Sequence, residues 1–248
     1  MSLSAAQQVI PDWPAPASVR AFSTTRTGGV STAAIGSQNL TQATADAPDH
    51  VQENRRRFAA CLPAPPGWLR QVHGDRVLDR TTLGATPPEA DGSWTDHTLL
   101  PCTVLTADCL PVLFCDRGGS RVAAVHAGWR GLRAGILARA VRAMGRPPEQ
   151  LLAWIGPAIG VGAYEVGADF ERDFRHAWPW LEGGFKRYQG RVHADLPALA
   201  RAALGQVGVT DVHGGNFCTY TDAERFFSHR RDAASGRMAT TIWLEPDS

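Results

Sequence analysis

The chain lacks most of the features that would assign a class on their own. No Cys-x-x-Cys pair occurs among its five cysteines, Cys61, Cys102, Cys109, Cys115 and Cys218. That excludes a zinc ribbon and a thioredoxin-type motif. The odd number and irregular spacing point to free thiols in a reducing, cytoplasmic setting. No apolar run approaches the ~20 residues that span a bilayer. The opening stretch, MSLSAAQQVIPDWPAP, has neither the basic nor the apolar region of a signal peptide. Net charge is only +1. Arginine greatly outnumbers lysine, but the arginines form no basic tract, so bulk electrostatics favours neither nucleic acid nor membrane. There is no internal repeat and no low-complexity segment.

What is present is an ordinary globular balance, 44% hydrophobic and 20% charged over 248 residues, long enough to bury a real core. No linker divides it, so residues 1–248 read as one domain. Residues 21–31 read as a strand running into a Gly28-Gly29 turn. Residues 48–61 read as a helix, with Asp49 as N-cap and Val51, Arg55 and Phe58 at helical spacing. Residues 68–73 look like a strand ending at Gly74, and 76–79 like a short continuation. Strands are expected at 103–105, 111–115 and 121–126, with a hairpin turn at 117–120. A turn at 128–131 should enter a helix, because Ile136, Leu137, Ala140, Val141 and Met144 share one face. Further elements are a strand at 151–155, helices at 167–177 and 196–204, and a last strand at 238–244. Helices alternate with strands, but hairpins are mixed in. The expected class is therefore α+β: a single domain of mixed β-sheets layered with helices, not a purely parallel doubly wound fold.

The stretch Thr106-Ala-Asp-Cys-Leu-Pro-Val-Leu-Phe-Cys115 carries an Asp–Cys pair inside an apolar run. A second run, Val122-Ala-Ala-Val-His126, ends on a histidine before a Gly-rich turn, and His73 ends another candidate strand before Gly74. Side chains at strand ends project over the rim of a sheet, where sites are usually built. Two imidazoles and a thiolate suit Zn²⁺ with the fourth position left open for water or substrate, and copper accepts the same donors. The gaps match no short metal motif, so spacing leaves two other readings open. Cys109 is equally a buried apolar thiol, or a nucleophile with His126 as its base. Asp108 reads as a turn cap or as a carboxylate that steadies a ligating group. Arg26, Arg55, Arg130, Arg230 and Arg231 are candidates for bidentate contact with an oxyanion.

Longer motifs add a resemblance. They are Ser23-Thr-Thr-Arg-Thr-Gly-Gly-Val-Ser31, Asn39-Leu40, Glu53-Asn-Arg55, Gln71-Val-His-Gly74 and Thr106-Ala-Asp-Cys-Leu-Pro-Val112. They continue with Ala123-Ala-Val-His-Ala-Gly-Trp-Arg-Gly131, Trp154-Ile-Gly-Pro-Ala-Ile-Gly160, Tyr164-Glu-Val-Gly167, Phe227-Ser-His-Arg-Arg-Asp232 and Gly236-Arg-Met-Ala239. In this order they resemble the YfiH family, also called the multicopper polyphenol oxidase or laccase-like domain family. The family is better described by purine nucleoside phosphorylase and adenosine deaminase activity.

The resemblance implies a zinc ion on His73, Cys109 and His126, and a fold similar to a cysteine-dependent toxin deamidase. It also implies phosphorolysis of adenosine, inosine, guanosine or methylthioadenosine. Under that reading Arg55 is the first choice for phosphate, Arg26 and Arg230 stand behind it, and Asn39 completes the substrate-binding set. Cys109, Asp108 and Arg55 are the expected catalytic residues. The laccase label does not fit, because no His-x-His motif occurs. An amide hydrolase that edits peptidoglycan precursors, or a Cys–His thiol hydrolase, would use the same atoms.

Overall fold

The computed structural model describes residues 4–32 and 35–246. The chain opens with strands β1 (Gln8–Val9) and β2 (Val19–Thr24) and helix α1 (Pro48–Ala59). Strands β3 (Val77–Asp79) and β4 (Gly92–Thr95) lead into β5 (Cys102–Thr106), β6 (Leu110–Asp116) and β7 (Val122–Ala127). Helices α2 (Trp129–Arg133) and α3 (Ile136–Met144) follow, then β8 (Leu151–Ile155), β9 (Glu165–Val166) and α4 (Ala168–Ala177). The chain continues through β10 (Phe185–Tyr188), β11 (Arg191–Ala194), α5 (Leu196–Gln206) and β12 (Asp211–Gly214). It ends with α6 (His229–Asp232) and β13 (Met238–Leu244).

A six-stranded sheet has the order β12-β8-β6-β7-β4-β3. Its two outer pairs, β12 with β8 and β3 with β4, are parallel and the rest antiparallel. A four-stranded antiparallel sheet, β1-β2-β13-β5, lies beside it, and a small sheet, β10-β11-β9, completes the set. The class is α+β with mixed sheets and helices, as expected.

The unbroken apolar runs of β6, β7 and β8 arise because both faces of the central sheet are covered. Leu110, Val112 and Phe114 face one way, with Ala123, Val125 and Ala153, and pack against Ile136, Leu137, Ala140 and Leu199 of the helices. Leu113 and Cys115 face the other way, with Val122, Ala124 and Leu152, and meet Cys102, Val104, Met238 and Ile242 of the second sheet. Phe22, Phe58 and Trp243 close the outer face of that second sheet under α1. The layers therefore run helices, sheet, sheet, helix.

Three expectations need correction. Residues 68–73 do not form a strand; they make only the isolated bridge Arg70↔Glu89. The Gln71 side chain pairs with β5 instead, donating from Nε2 to the Leu105 carbonyl and accepting the Leu105 N–H, both at 2.8 Å. Strand β2 stops at Thr24, because the next residues turn their N–H groups to Gln7 and Arg225. Helix α1 begins at Pro48, whose fixed φ suits the first helical position, so Asp49 lies inside the first turn and Ala47 is the cap. Strands β4, β9 to β12 and the short helix α2 carry too few residues to show periodicity.

Candidate metal centre

The site sits where β6 begins and β7 ends. These strands are antiparallel neighbours with Leu110 opposite Ala127 and Pro111 opposite His126. Cys109, just before β6, continues the parity of Leu113 and Cys115, and His126 continues that of Val122 and Ala124. The two side chains therefore share the side facing the second sheet. His73 reaches them from the segment ahead of β3. Its φ of 59° is left-handed, unusual for a residue with a Cβ.

One ligand atom from each of His73, Cys109 and His126 lies within 4.8 Å of the others. Sγ of Cys109 is 3.8 Å from Nε2 of His73, and the two imidazoles meet edge to face at 4.7 Å. Zinc–sulfur and zinc–nitrogen bonds in a tetrahedron set sulfur and nitrogen about 3.5 Å apart. The Cys109–His73 pair is thus only a few tenths of an ångström wider than metal-bound spacing, and the N, N, S donor set suits a borderline-soft cation. Gly128 makes room for it: a Cβ there would stand 2.7 Å from Cδ2 of His73 and 3.3 Å from both Sγ of Cys109 and Cε1 of His126.

Charge separates this cysteine from the buried ones. Burial resists ionisation of Cys109, but the His126 charge and hydrogen bonds from both histidines outweigh it and bring the thiol down to about 6. Burial, helped by nearby carboxylates, pushes Cys102 and Cys115 up to about 12, so they are inert core thiols. Burial also works against a charged His126, yet Cys109 and Asp91 raise it to about 9.

Two carboxylates serve the site from behind. Asp91, fully buried, holds Nδ1 of His126 at 2.8 Å. Asp108, with φ 85°, accepts the Thr219 hydroxyl at 2.6 Å and the Arg230 N–H at 2.7 Å, so it ties the turn before Cys109 to the Thr219 loop and to α6. Asp91 was missed in the sequence; nothing in Ala90-Asp-Gly92 marks it except an acidic residue beside an apolar strand.

A cleft of about 640 Å³ opens from the trio and is lined by Arg55, Trp68, Gln71, Leu105, His229 and Arg237, among others. The Arg55 guanidinium lies 4.4 Å over Trp68 and its Nε donates to the Leu40 carbonyl. Arg237 is half-buried and donates to the Ser235 and Gly236 carbonyls. Burial depresses both guanidinium pKa values, and among the described residues neither has a carboxylate at ion-pair distance. Arg237 was also missed, although it stands inside Gly236-Arg-Met-Ala239.

The other candidates lie outside the cleft lining. Arg26 stacks on Phe227 and donates to the Ala223 carbonyl. Arg230 covers the Tyr164 ring at 5.1 Å. Asn39 is fully buried and occupied by Thr41, Thr44 and Asp46 of its own loop and by the backbone N–H of Arg237.

This fold recurs in known proteins. Residues 20–245 match the family model described as multi-copper polyphenol oxidoreductase laccase. The chain belongs to the YfiH family. Purine nucleoside phosphorylase PA4543 of Pseudomonas aeruginosa is 50% identical over 237 residues, spanning 95% of this chain and 97% of that protein. Purine nucleoside phosphorylase YfiH of Escherichia coli K12 is 48% identical over 238 residues, spanning 95% and 98%. The crystal structure of Neisseria meningitidis protein NMB0706 superposes with a TM-score of 0.93 at 44% identity, over 97% of this chain and all (100%) of that one. The family's laccase description is not matched by the donors: among the described residues, His73, Cys109 and His126 form the one cluster of three such ligands. Among the described residues no helix is long and apolar enough to cross a membrane.

Proposed function

We propose that this chain is a zinc-dependent purine nucleoside phosphorylase with His73, Cys109 and His126 as the ligands. The observation that carries the reading is the single cleft shared by the donor trio and two half-buried guanidiniums that, among the described residues, have no carboxylate at ion-pair distance. Its volume lies in the range that holds a small ligand. The names of the relatives support the same activity.

In this reading Arg55 and Arg237 grip phosphate by charge-assisted hydrogen bonds and present one oxygen to C1′ of the sugar. The N-glycosidic bond breaks as the new C–O bond forms, and the electron pair leaves with the purine. Positive charge then develops on the sugar and negative charge on the base. Trp68 and Leu105 wall the cleft and exclude water from the sugar. Bound zinc supplies a Lewis acid and an activated water, which also accounts for adenosine deamination as a second activity.

The line Cys109–His126–Asp91 favours a second reading. A thiolate beside an imidazole, whose other nitrogen meets a buried carboxylate, is the arrangement of a thiol hydrolase acting on an amide, such as a peptidoglycan precursor.

The test is chromatography of zinc-loaded and of chelated protein with adenosine, with and without phosphate. Adenine formed only with zinc and phosphate is the expected result, with inosine scoring deamination. No product in any arm, together with hydrolysis of an amide substrate by the chelated protein, refutes the phosphorylase reading in favour of the thiol hydrolase.

A further inference from the structure

We propose that Asp91 is the positioning residue of the metal centre, one buried carboxylate that fixes both histidine ligands at once. The proposal rests on the reading of His73, Cys109 and His126 as ligands. Oδ1 of Asp91 accepts the His73 N–H at 2.9 Å and meets Nδ1 of His126 at 2.8 Å. Oδ2 accepts the Val72 N–H at 3.2 Å and the Gly74 N–H at 2.8 Å. The Asp91 carbonyl also accepts the backbone N–H of His126 at 2.7 Å. Among the described residues no arginine or lysine pairs with this carboxylate, which is 0% exposed.

Two things follow from these contacts. With three backbone donors already on its oxygens, the carboxylate meets His126 as an acceptor. Nδ1 therefore carries the hydrogen, and the Nε2 lone pair is left for the metal. In addition, three successive N–H groups converge on one carboxylate only if residues 72–74 curl around it. That curl is the left-handed backbone of His73, and it turns the His73 ring toward Cys109. His73 and His126 stand far apart in sequence and on different segments. A carboxylate with a purely structural role would have no need to reach a ring nitrogen.

Asp91→Asn tests this. An amide has one accepting oxygen and a donor NH₂, so it cannot satisfy three N–H groups and a ring N–H. If its NH₂ faces His126, the hydrogen moves to Nε2 and blocks ligation. We expect zinc affinity, read by competition with a chromogenic chelator, to fall 10- to 100-fold.

A second measurement needs no variant. The imidazole ¹⁵N–¹H spectrum of zinc-loaded wild-type protein should show His126 with a hydrogen on Nδ1 and none on Nε2. A folded Asp91→Asn variant that binds zinc within twofold of wild type overturns the proposal. So does an Nε2-bound hydrogen in the wild-type spectrum, whether or not the variant folds. Wild-type protein that takes up no zinc fails earlier, at the ligand reading, and removes this proposal with it.

Discussion

Gly128→Ala offers the sharpest separation of site from scaffold. The residue has φ −61° and ψ 154°, an extended conformation that alanine adopts freely, so no backbone penalty arises. The added methyl would sit 2.7 Å from Cδ2 of His73 and 3.3 Å from Sγ of Cys109 and Cε1 of His126. Carbon–carbon contacts settle near 3.5–4.0 Å, so the His73 ring must retreat by about 1 Å. Metal–ligand distances tolerate only about 0.2 Å, roughly a fifth of that retreat. His73 is exposed and has room to swing outward, so the strain falls on ligation more than on packing. Overpacking costs about 1–3 kcal/mol in a closed core, and this rim position should lie at the low end. The expected outcome is a zinc affinity lowered at least tenfold, about 1.4 kcal/mol or more. The melting temperature of the chelated protein should move by only a few degrees. Competition titration and thermal unfolding with a chelator read the two quantities separately. A variant that keeps wild-type zinc affinity would refute the steric argument and with it the placement of all three ligands around Gly128.

Chelated protein should be alkylated by iodoacetamide at Cys109 near neutral pH far faster than at Cys102 or Cys115, and zinc should protect Cys109; peptide mass spectrometry reads this, and equal rates would contradict the charge assignment. Arg237→Ala should raise the KM for phosphate about 10- to 100-fold while the KM for nucleoside changes little, since a charge-assisted hydrogen bond contributes about 1.5–3 kcal/mol; the reverse pattern would move Arg237 to the nucleoside end of the cleft. Asp116 closes the β6–β7 hairpin. Burial raises its pKa, but the Ser120 hydroxyl, the N–H groups of Arg121 and Ser120, and the Arg146 charge outweigh this and hold it below the usual value. A lowered pKa means the stabilisation is full above about pH 4 and fades as pH falls through the folded value. Asp116→Asn should therefore lose about 1–3 kcal/mol at pH 7 and little at pH 2–3 by urea unfolding; an equal loss at both would remove the charge from the account.

Much of the core was legible because its signal is local. The runs at 110–116, 122–127 and 151–155 are apolar without alternation, and only a sheet covered on both faces explains that. Helix α3 showed its face through Ile136, Leu137, Ala140, Val141 and Met144, all buried. The 68–73 segment misled because its apolar residues suggested a strand, whereas two nonlocal contacts, the Gln71 amide with Leu105 and the Asp91 carboxylate with His73, decide its path. The same limit hid Asp91 and Arg237. Asp91 acts on residues 18 and 35 positions away, and Arg237 meets the cleft only after β13 crosses beside β5. Arg26 and Arg230 drew interest as charges near motifs, yet stacking on Phe227 and Tyr164 occupies them outside the cleft lining.

The pairing of Pro111 with His126 has a consequence for how this chain can vary. The hairpin that joins β6 to β7 turns at the far end of both strands, away from Cys109 and His126. One extra residue there that slid the strands by a single step would send every side chain of one strand to the opposite face and part the thiol from the imidazole. Two extra residues would restore the sidedness. Length changes in that distant turn should therefore be tolerated by parity, even and odd insertions differing in metal uptake although neither comes near the metal.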